Sequence, residues 1–175
     1  MHKIFITGGC GFIGSHLTEY MFNKYKNSLI YVYDKITYAA NVKNLKNIYK
    51  SNRVKIIKKD ILDINALKKF SKNTDLLIHA AAESHVDNSF NLTNEFIKTN
   101  VLGTKNVLDA CKVNKIKKII HISTDEIYGE IFKSSFSENS PFNPSNPYSS
   151  SKAAAEMIIN GYVHSYKLPI IIIRA

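Results

Sequence analysis

Thr7-Gly8-Gly9-Cys10-Gly11-Phe12-Ile13-Gly14-Ser15-His16 is the stretch whose reading decides how this chain folds. It follows a short apolar run, Lys3–Thr7 (KIFIT), and leads into a longer amphipathic one, 12–25. Gly9, Gly11 and Gly14 fit G-x-G-x-x-G; Gly8, Gly11 and Gly14 fit G-x-x-G-x-x-G. Glycine at such positions lets the backbone turn tightly and approach an anion that a side chain would hold off. A glycine turn alone is common; strand, glycine turn and helix in that order is the context that gives the spacing meaning. A helix opening near Phe12 points free N–H groups and the positive end of its dipole at the turn. Gly8, Gly11, Phe12, Ile13 and Gly14 are therefore candidate contacts to a pyrophosphate.

Outward from that turn, apolar runs alternate with amphipathic stretches. Lys3–Thr7, Leu29–Tyr33, Val54–Lys58, Asp75–His79, Lys118–Ser123 and Leu168–Ile173 read as strands: short, β-branched and nearly continuous, as strands covered on both faces are. The stretches 12–25, 41–50, 63–72, 93–114 and 148–166 read as helices. This alternation predicts an α/β fold, a doubly wound, Rossmann-like parallel sheet with six strands and right-handed crossovers, in one domain over 1–175. Tyr128 to Pro147, with Pro141, Pro144 and Pro147, reads as a long loop of the kind that usually serves function. The run stops straight after a buried-looking strand, so we expect the front part of a longer enzyme.

Composition narrows the function. Of 175 residues, 45% are hydrophobic and 22% charged, an ordinary soluble balance that excludes disordered, collagen-like and coiled-coil chains. No stretch reaches the 18 or more apolar residues of a membrane span, and MHKIFITGG enters a strand at once with no signal peptide, so a cytoplasmic location is expected. Two distant cysteines, Cys10 and Cys111, offer neither a disulfide scaffold nor a zinc cluster. The net charge of +10 comes from 22 Lys and only two Arg (Arg53, Arg174). Arginine is the residue that reads bases, so a solvated lysine surface with some attraction for anionic ligands fits better than nucleic-acid binding.

Asp34 ends the second strand 20 residues beyond Gly14. A carboxylate there accepts from adenosine ribose hydroxyls and repels a 2′-phosphate, favouring NAD; the adjacent Lys35 leaves NADP disfavoured rather than excluded. Asp60 and Ile61 end the third strand, placed for the adenine edge, although Asp60 reads equally well as a cap for the helix starting near Asp63. Tyr148 and Lys152 lie four apart on one helix face. An ammonium about 4 Å from a phenol, at an effective dielectric of about 20, attracts its phenolate by roughly 4 kcal/mol. At about 1.36 kcal/mol per unit, that is enough to lower a phenol from about 10 towards 7 before desolvation takes its share, and a phenolate at neutral pH serves as a general base. The fifth strand runs into Ser123-Thr124-Asp125-Glu126-Ile127-Tyr128-Gly129, which puts a hydroxyl and two carboxylates at a strand's carboxyl end, where ligands sit in parallel sheets. Two adjacent carboxyls whose environments differ can act as acid and base.

With these segments in hand, the chain resembles the extended short-chain dehydrogenase/reductase family, and within it the nucleotide-sugar 4,6-dehydratases. The matching segments are TGGCGFIGSH (7–16), YDKITYAANVKNL (33–45), KDI (59–61), HAAAESHVDNS (79–89), TNVLGT (99–104), STDEIYGE (123–130) and PYSSSKAAAE (147–156). The Thr-Asp-Glu triplet is the discriminating part, since related epimerases and decarboxylases lack the Asp-Glu pair. The departure is at the end, where family chains run on for about as many residues again; the expected C-terminal substrate lobe is missing.

The resemblance implies that Tyr148 takes the proton of the sugar 4-hydroxyl, Lys152 lowers the Tyr148 pKa and holds the nicotinamide ribose, and Thr124 hydrogen-bonds the 4-oxygen. Glu126 would remove the C5 proton and Asp125 would protonate the departing 6-hydroxyl, giving a 4-keto-6-deoxy sugar. NAD would be a bound catalyst; dTDP- or UDP-glucose would be the substrate. Ala80, Ala81 and Ala82 would form a slim wall past which the cofactor lies, with Ser84 and Asn100 as secondary contacts. His85 and Asp87 are expected in a structural loop and His79 as a core histidine. Tyr128, Phe132 and Phe136 are expected to pack the loop. A homodimer is implied through helices 93–114 and 148–166, with Val101, Leu108, Ile158 and Tyr162 as candidates. Alternatives are an epimerase or decarboxylase of the same superfamily, or a non-catalytic NAD-binding module.

Overall fold

The computed structural model describes residues 2–131 and 135–175. Six strands, β1 (Lys3–Thr7), β2 (Leu29–Asp34), β3 (Val54–Lys58), β4 (Leu76–His79), β5 (Ile119–Ser123) and β6 (Ile170–Arg174), form one sheet. Its order is β3-β2-β1-β4-β5-β6 and every pairing is parallel. The winding reverses between β1 and β4, so their carboxyl ends border the crevice where such sheets bind ligands. The helices are α1 (Phe12–Lys24), α2 (Ile64–Phe70), α3 (Val86–Asn91), α4 (Thr93–Phe96), α5 (Thr104–Val113) and α6 (Pro147–Tyr166).

Strand alternation divides the core between the two faces. Phe5, Tyr33, Ile57 and Leu77 pack with Leu67 of α2 and Val107, Ala110 and Cys111 of α5. Ile4, Ile6, Ile30, Val32 and Ile78 pack on the other face, with Leu17 and Met21 of α1 and with Leu45 and Ile48. The two edges differ. On β3, Lys55 and Lys58 are exposed; on β6, Ile171 and Ile173 are, at 64% and 44%.

Three expectations change. The expected helix at 41–50 is a single 3-10 turn, Val42–Leu45, started by the Asn41 side chain accepting from the Lys43 N–H. Val42, Leu45 and Ile48 recur every three residues, the 3-10 period rather than the α period. His85 ends the extended stretch after β4, as the residue preceding α3, whereas Asp87 does not sit in a loop but in the first turn of α3. The run at 93–114 is helical throughout but not uniform; between α4 and α5 it widens into π geometry over Ile97–Gly103, where Asn100 turns inward and is buried.

Candidate active site

The glycine turn between β1 and α1 builds the floor of the site. Gly8 takes a φ of +70°, and a Cβ there would lie 2.6 Å from the Ala81 backbone. A Cβ on Gly14 would land on the Gly8 carbonyl, so α1 can start against the turn only with glycine at 14. The N-cap of α1, Gly11, supplies no side-chain partner for the first N–H groups of the helix, which leaves them to an outside anion. Phe12 is 79% exposed and Ile13 47%, although both line the adjoining cavity. Apolar side chains in such a place suit a flat ligand lying over them.

The cavity, about 320 Å³, runs from this turn to α6. Gly8, Gly11, Phe12, Ile13, Gly14, Asp34, Lys35, Asp60, Ile61, Ala80, Ala81, Ala82, Ser84, Tyr148 and Lys152 all line it. At one end the buried Asp34 carboxylate accepts from the Cys10 N–H (2.9 Å) and the Ile36 N–H (2.7 Å). Each oxygen keeps a lone pair for a further donor. Lys35 is held by Asp60 at 2.8 Å, and that carboxylate raises its pKa above the ordinary lysine value. The cap of α2 is Asp63, accepting from Ala66; Asp60 accepts instead from Leu62, two residues on. Uncapped helix N-terminus, close-approach glycines and an acidic strand end together fit a dinucleotide.

At the other end stand Tyr148 and Lys152, 9% and 4% exposed. Here an expectation is corrected. The Lys152 ammonium donates to the Ile122 carbonyl at 2.7 Å rather than pairing with the phenol. Burial drives Lys152 down to about 8, against the pull of Glu156. The Tyr148 phenol is raised, chiefly by burial and also by the Glu126 and Asp125 charges; a hydrogen bond with Thr124 opposes the rise. A desolvated ammonium takes the strongest nearby acceptor, which is the open carbonyl on β5.

Thr124, Asp125 and Glu126 do not line the cavity, but Thr124 hydrogen-bonds with the Tyr148 hydroxyl and the charges of Asp125 and Glu126 are felt there. Thr124 starts a 3-10 turn, Asp125–Tyr128, by accepting from the Glu126 N–H. The Glu126 carboxylate accepts from Asn146 at 3.1 Å. Asp125 is exposed and faces a second hollow with Tyr128 and Arg174.

Asn100 is a second correction. It is 1% exposed, and its amide is taken up inside the protein: Oδ1 accepts from the Glu83 N–H, and Nδ2 donates to the Glu83 carbonyl and to Ser151. It shapes the loop after β4 and makes no part of the cavity wall. His79 is a core histidine, both ring nitrogens meeting hydroxyls, of Thr7 at 2.7 Å and Thr104 at 3.0 Å. Tyr128 stacks on Phe136 (centroids 5.3 Å); Phe132 lies outside the described residues. Leu108 is buried within the chain against Ile159 and Leu168 and is not free for a partner.

A family model described as GDP-mannose 4,6 dehydratase matches residues 5–175. The chain belongs to that family. It is 45% identical to a dTDP-D-glucose 4,6-dehydratase of Dictyostelium discoideum, over 100% of this chain and 43% of the relative. It superposes with a TM-score of 0.93 on DesIV of Streptomyces venezuelae, a dTDP-glucose 4,6-dehydratase solved with NAD and TYD bound, at 36% identity over 98% of this chain and 55% of that one. It also superposes, with a TM-score of 0.91 and 31% identity, on a Bacillus cereus UDP-glucuronic acid 4-epimerase solved with UDP-glucuronic acid and NAD, over 98% and 55%. The chain thus spans about half the length of these relatives.

Sequence reading missed several residues of this family member's site. Thr37, Ala39, Ala40, Lys59, Glu83 and Thr99 also line the cavity. Asn146, which both caps α6 and holds Glu126, carried only the weak mark of a capping residue before Pro147.

Proposed function

We propose that the chain is the NAD-binding and reacting portion of a nucleotide-sugar 4,6-dehydratase acting on dTDP- or UDP-glucose. One observation carries the reading: a single cavity joins the glycine turn and Asp34 to Tyr148 and Lys152, with Thr124-Asp125-Glu126 against the phenol. NAD over NADP is supported by Asp34 and by Lys35 being engaged with Asp60. NAD would be held by the glycine turn, Asp34 and Lys152, and would supply a hydride acceptor for sugar C4 that also serves as the donor to C6. The chain's own residues move the protons. Tyr148 takes the 4-hydroxyl proton, assisted when the Lys152 ammonium leaves the Ile122 carbonyl for the phenolate. Thr124 holds the 4-oxygen. Glu126, aimed by Asn146, removes the C5 proton acidified by the 4-ketone, the exposed Asp125 protonates the departing 6-hydroxyl so that water leaves, and Glu126 gives its proton back to C5 as C6 takes up hydride.

Calorimetry with NAD tests the cofactor half. We expect weak binding, with little turnover of dTDP-glucose by this chain alone; no binding at millimolar NAD sinks the reading. In the full-length enzyme, Glu126→Gln should oxidise C4 in a single turnover yet lose no water; normal turnover removes Glu126 from its role. The likeness to an epimerase supports a second reading, an epimerase of the same fold, and product mass separates the two because only the dehydratase product is lighter by one water. Pairing through helices 93–114 and 148–166 is part of the proposal, with exposed Ile97, Leu102 and Met157 as its apolar surface. Light scattering at rising concentration checks it, and a monomer throughout removes it.

A further inference from the structure

Glu156 is 0% exposed, and it lies one turn beyond Lys152 on the same face of α6. An ionised carboxylate so placed needs a partner. Arg174, at the end of β6, supplies it with three bonds: Nε to Oε1 at 3.1 Å, Nε to Oε2 at 3.2 Å, and Nη2 to Oε2 at 2.7 Å. Arg174 pairs in register with Ser123 on β5, next to Ile122, whose carbonyl holds Lys152. Its Nη1 donates to the Tyr128 hydroxyl and to the Glu138 carbonyl. The guanidinium also lies 5.3 Å from the centroids of both Tyr128 and Phe142. One arginine therefore joins the layer beneath Lys152 to the turn that carries Asp125 and Glu126.

We propose that Glu156 and Arg174 are positioning residues: the buried carboxylate supplies the counter-charge for the Lys152 ammonium at the cavity, while Arg174 fixes that carboxylate with three bonds and pins the Asp125–Tyr128 turn through Tyr128. The groups facing Lys152 leave Glu156 as its counter-charge. His79 of β4 and His121 of β5 are buried and neutral, each pushed down by burial and by the Lys152 charge itself. Ser123 and Tyr148 are uncharged at neutral pH. Burial alone would carry Lys152 further down than about 8; Glu156 opposes it. Were Arg174 removed, the carboxylate would lose the three bonds that fix it beneath Lys152, and its support of the ammonium would weaken. The functional consequence rests on the proposed role of Lys152; the charge support does not, and it can be measured in this chain alone.

Trace acetylation of the folded chain across pH 6–10, with mass spectrometry of the Lys152 peptide, reads the ionisation of that amine. The midpoint should lie near 8. In Glu156→Gln it should fall by about one unit, and in Arg174→Gln it should move the same way, with Arg174→Lys recovering most of the difference. Thermal unfolding of the same samples separates support from mere packing: lowered melting with an unmoved Lys152 midpoint overturns the proposal. Should Glu156→Gln fail to fold, the two Arg174 variants decide, and equal midpoints in them overturn it. Protection of Lys152 from acetylation by NAD, recorded alongside, reports on the proposed function separately: no protection with shifted midpoints sinks the cofactor reading and leaves the charge support standing.

Discussion

Ile36 has a φ of +59°, a region that β-branched residues rarely enter and that carries about 1–3 kcal/mol of strain. It stays there because its N–H is held by Asp34, which also holds the Cys10 N–H across the glycine turn. The strain is thus tied to the end of the cavity where a ribose would lie. Replacing Ile36 with Asn, which tolerates this conformation, should stabilise the fold by about 0.5–1 kcal/mol in urea unfolding. A loss of 1 kcal/mol or more would mean that the packing of the isoleucine outweighs its strain. The role of Asp34 as a strand-end acid was legible from its distance to Gly14, because that distance is local. Its grip on Ile36 was not, because nothing in the residue types announces a left-handed isoleucine.

Helix starts divide the elements of the site into two kinds. α1 begins on a glycine with no capping side chain. α6 begins on a full capping box, Asn146 and Ser149 each bonding the other's backbone. The first leaves its N–H groups to a ligand; the second closes them and so fixes Tyr148 at its second residue. Asn146→Ala should lower stability by about 1 kcal/mol. Asn146→Asp should keep that stability but set a like charge against Glu126, so thermal melting separates the cap from the aim: equal melting losses in both variants would show that the cap needs the amide. Both strands and long helices could be read from periodicity, which is strong where a covered parallel sheet demands continuous apolar runs. The widened turns of Ile97–Gly103 could not, since they depend on Asn100 reaching Glu83 and Ser151 from 17 and 51 residues away. For the same reason, the Glu156–Arg174 pair was invisible in the sequence: 18 residues separate its members.

At the scale of the whole molecule, two imidazoles among the described residues lie neutral in the interior. His79 is pushed down to about 3 and His121 also lies well below its ordinary value, each first by burial. Between those values and about 6.5 the unfolded chain binds protons that the folded chain does not, so stability falls as pH drops below about 6.5. The slope should approach about 1.4 kcal/mol per pH unit for each histidine. His121 has no hydrogen-bond partner for either ring nitrogen among the described residues. His121→Leu should therefore be neutral or stabilising at pH 7 and flatten the decline towards pH 5, as urea midpoints at the two values would show. An unchanged slope would mean that His121 takes up its proton in the folded state.

The sheet's margins set a last property of the molecule. At β3 the outward Lys55 and Lys58 repel any strand that comes alongside. Among the described residues β6 carries no such guard along its rim, where Ile171 and Ile173 are exposed. When nothing else lies against that rim, concentrated samples should associate by extending the sheet through it. Ile171→Lys should then raise the solubility limit measurably while leaving the melting temperature within a degree or two, whereas a lysine at the already guarded Val54 edge should do little for solubility.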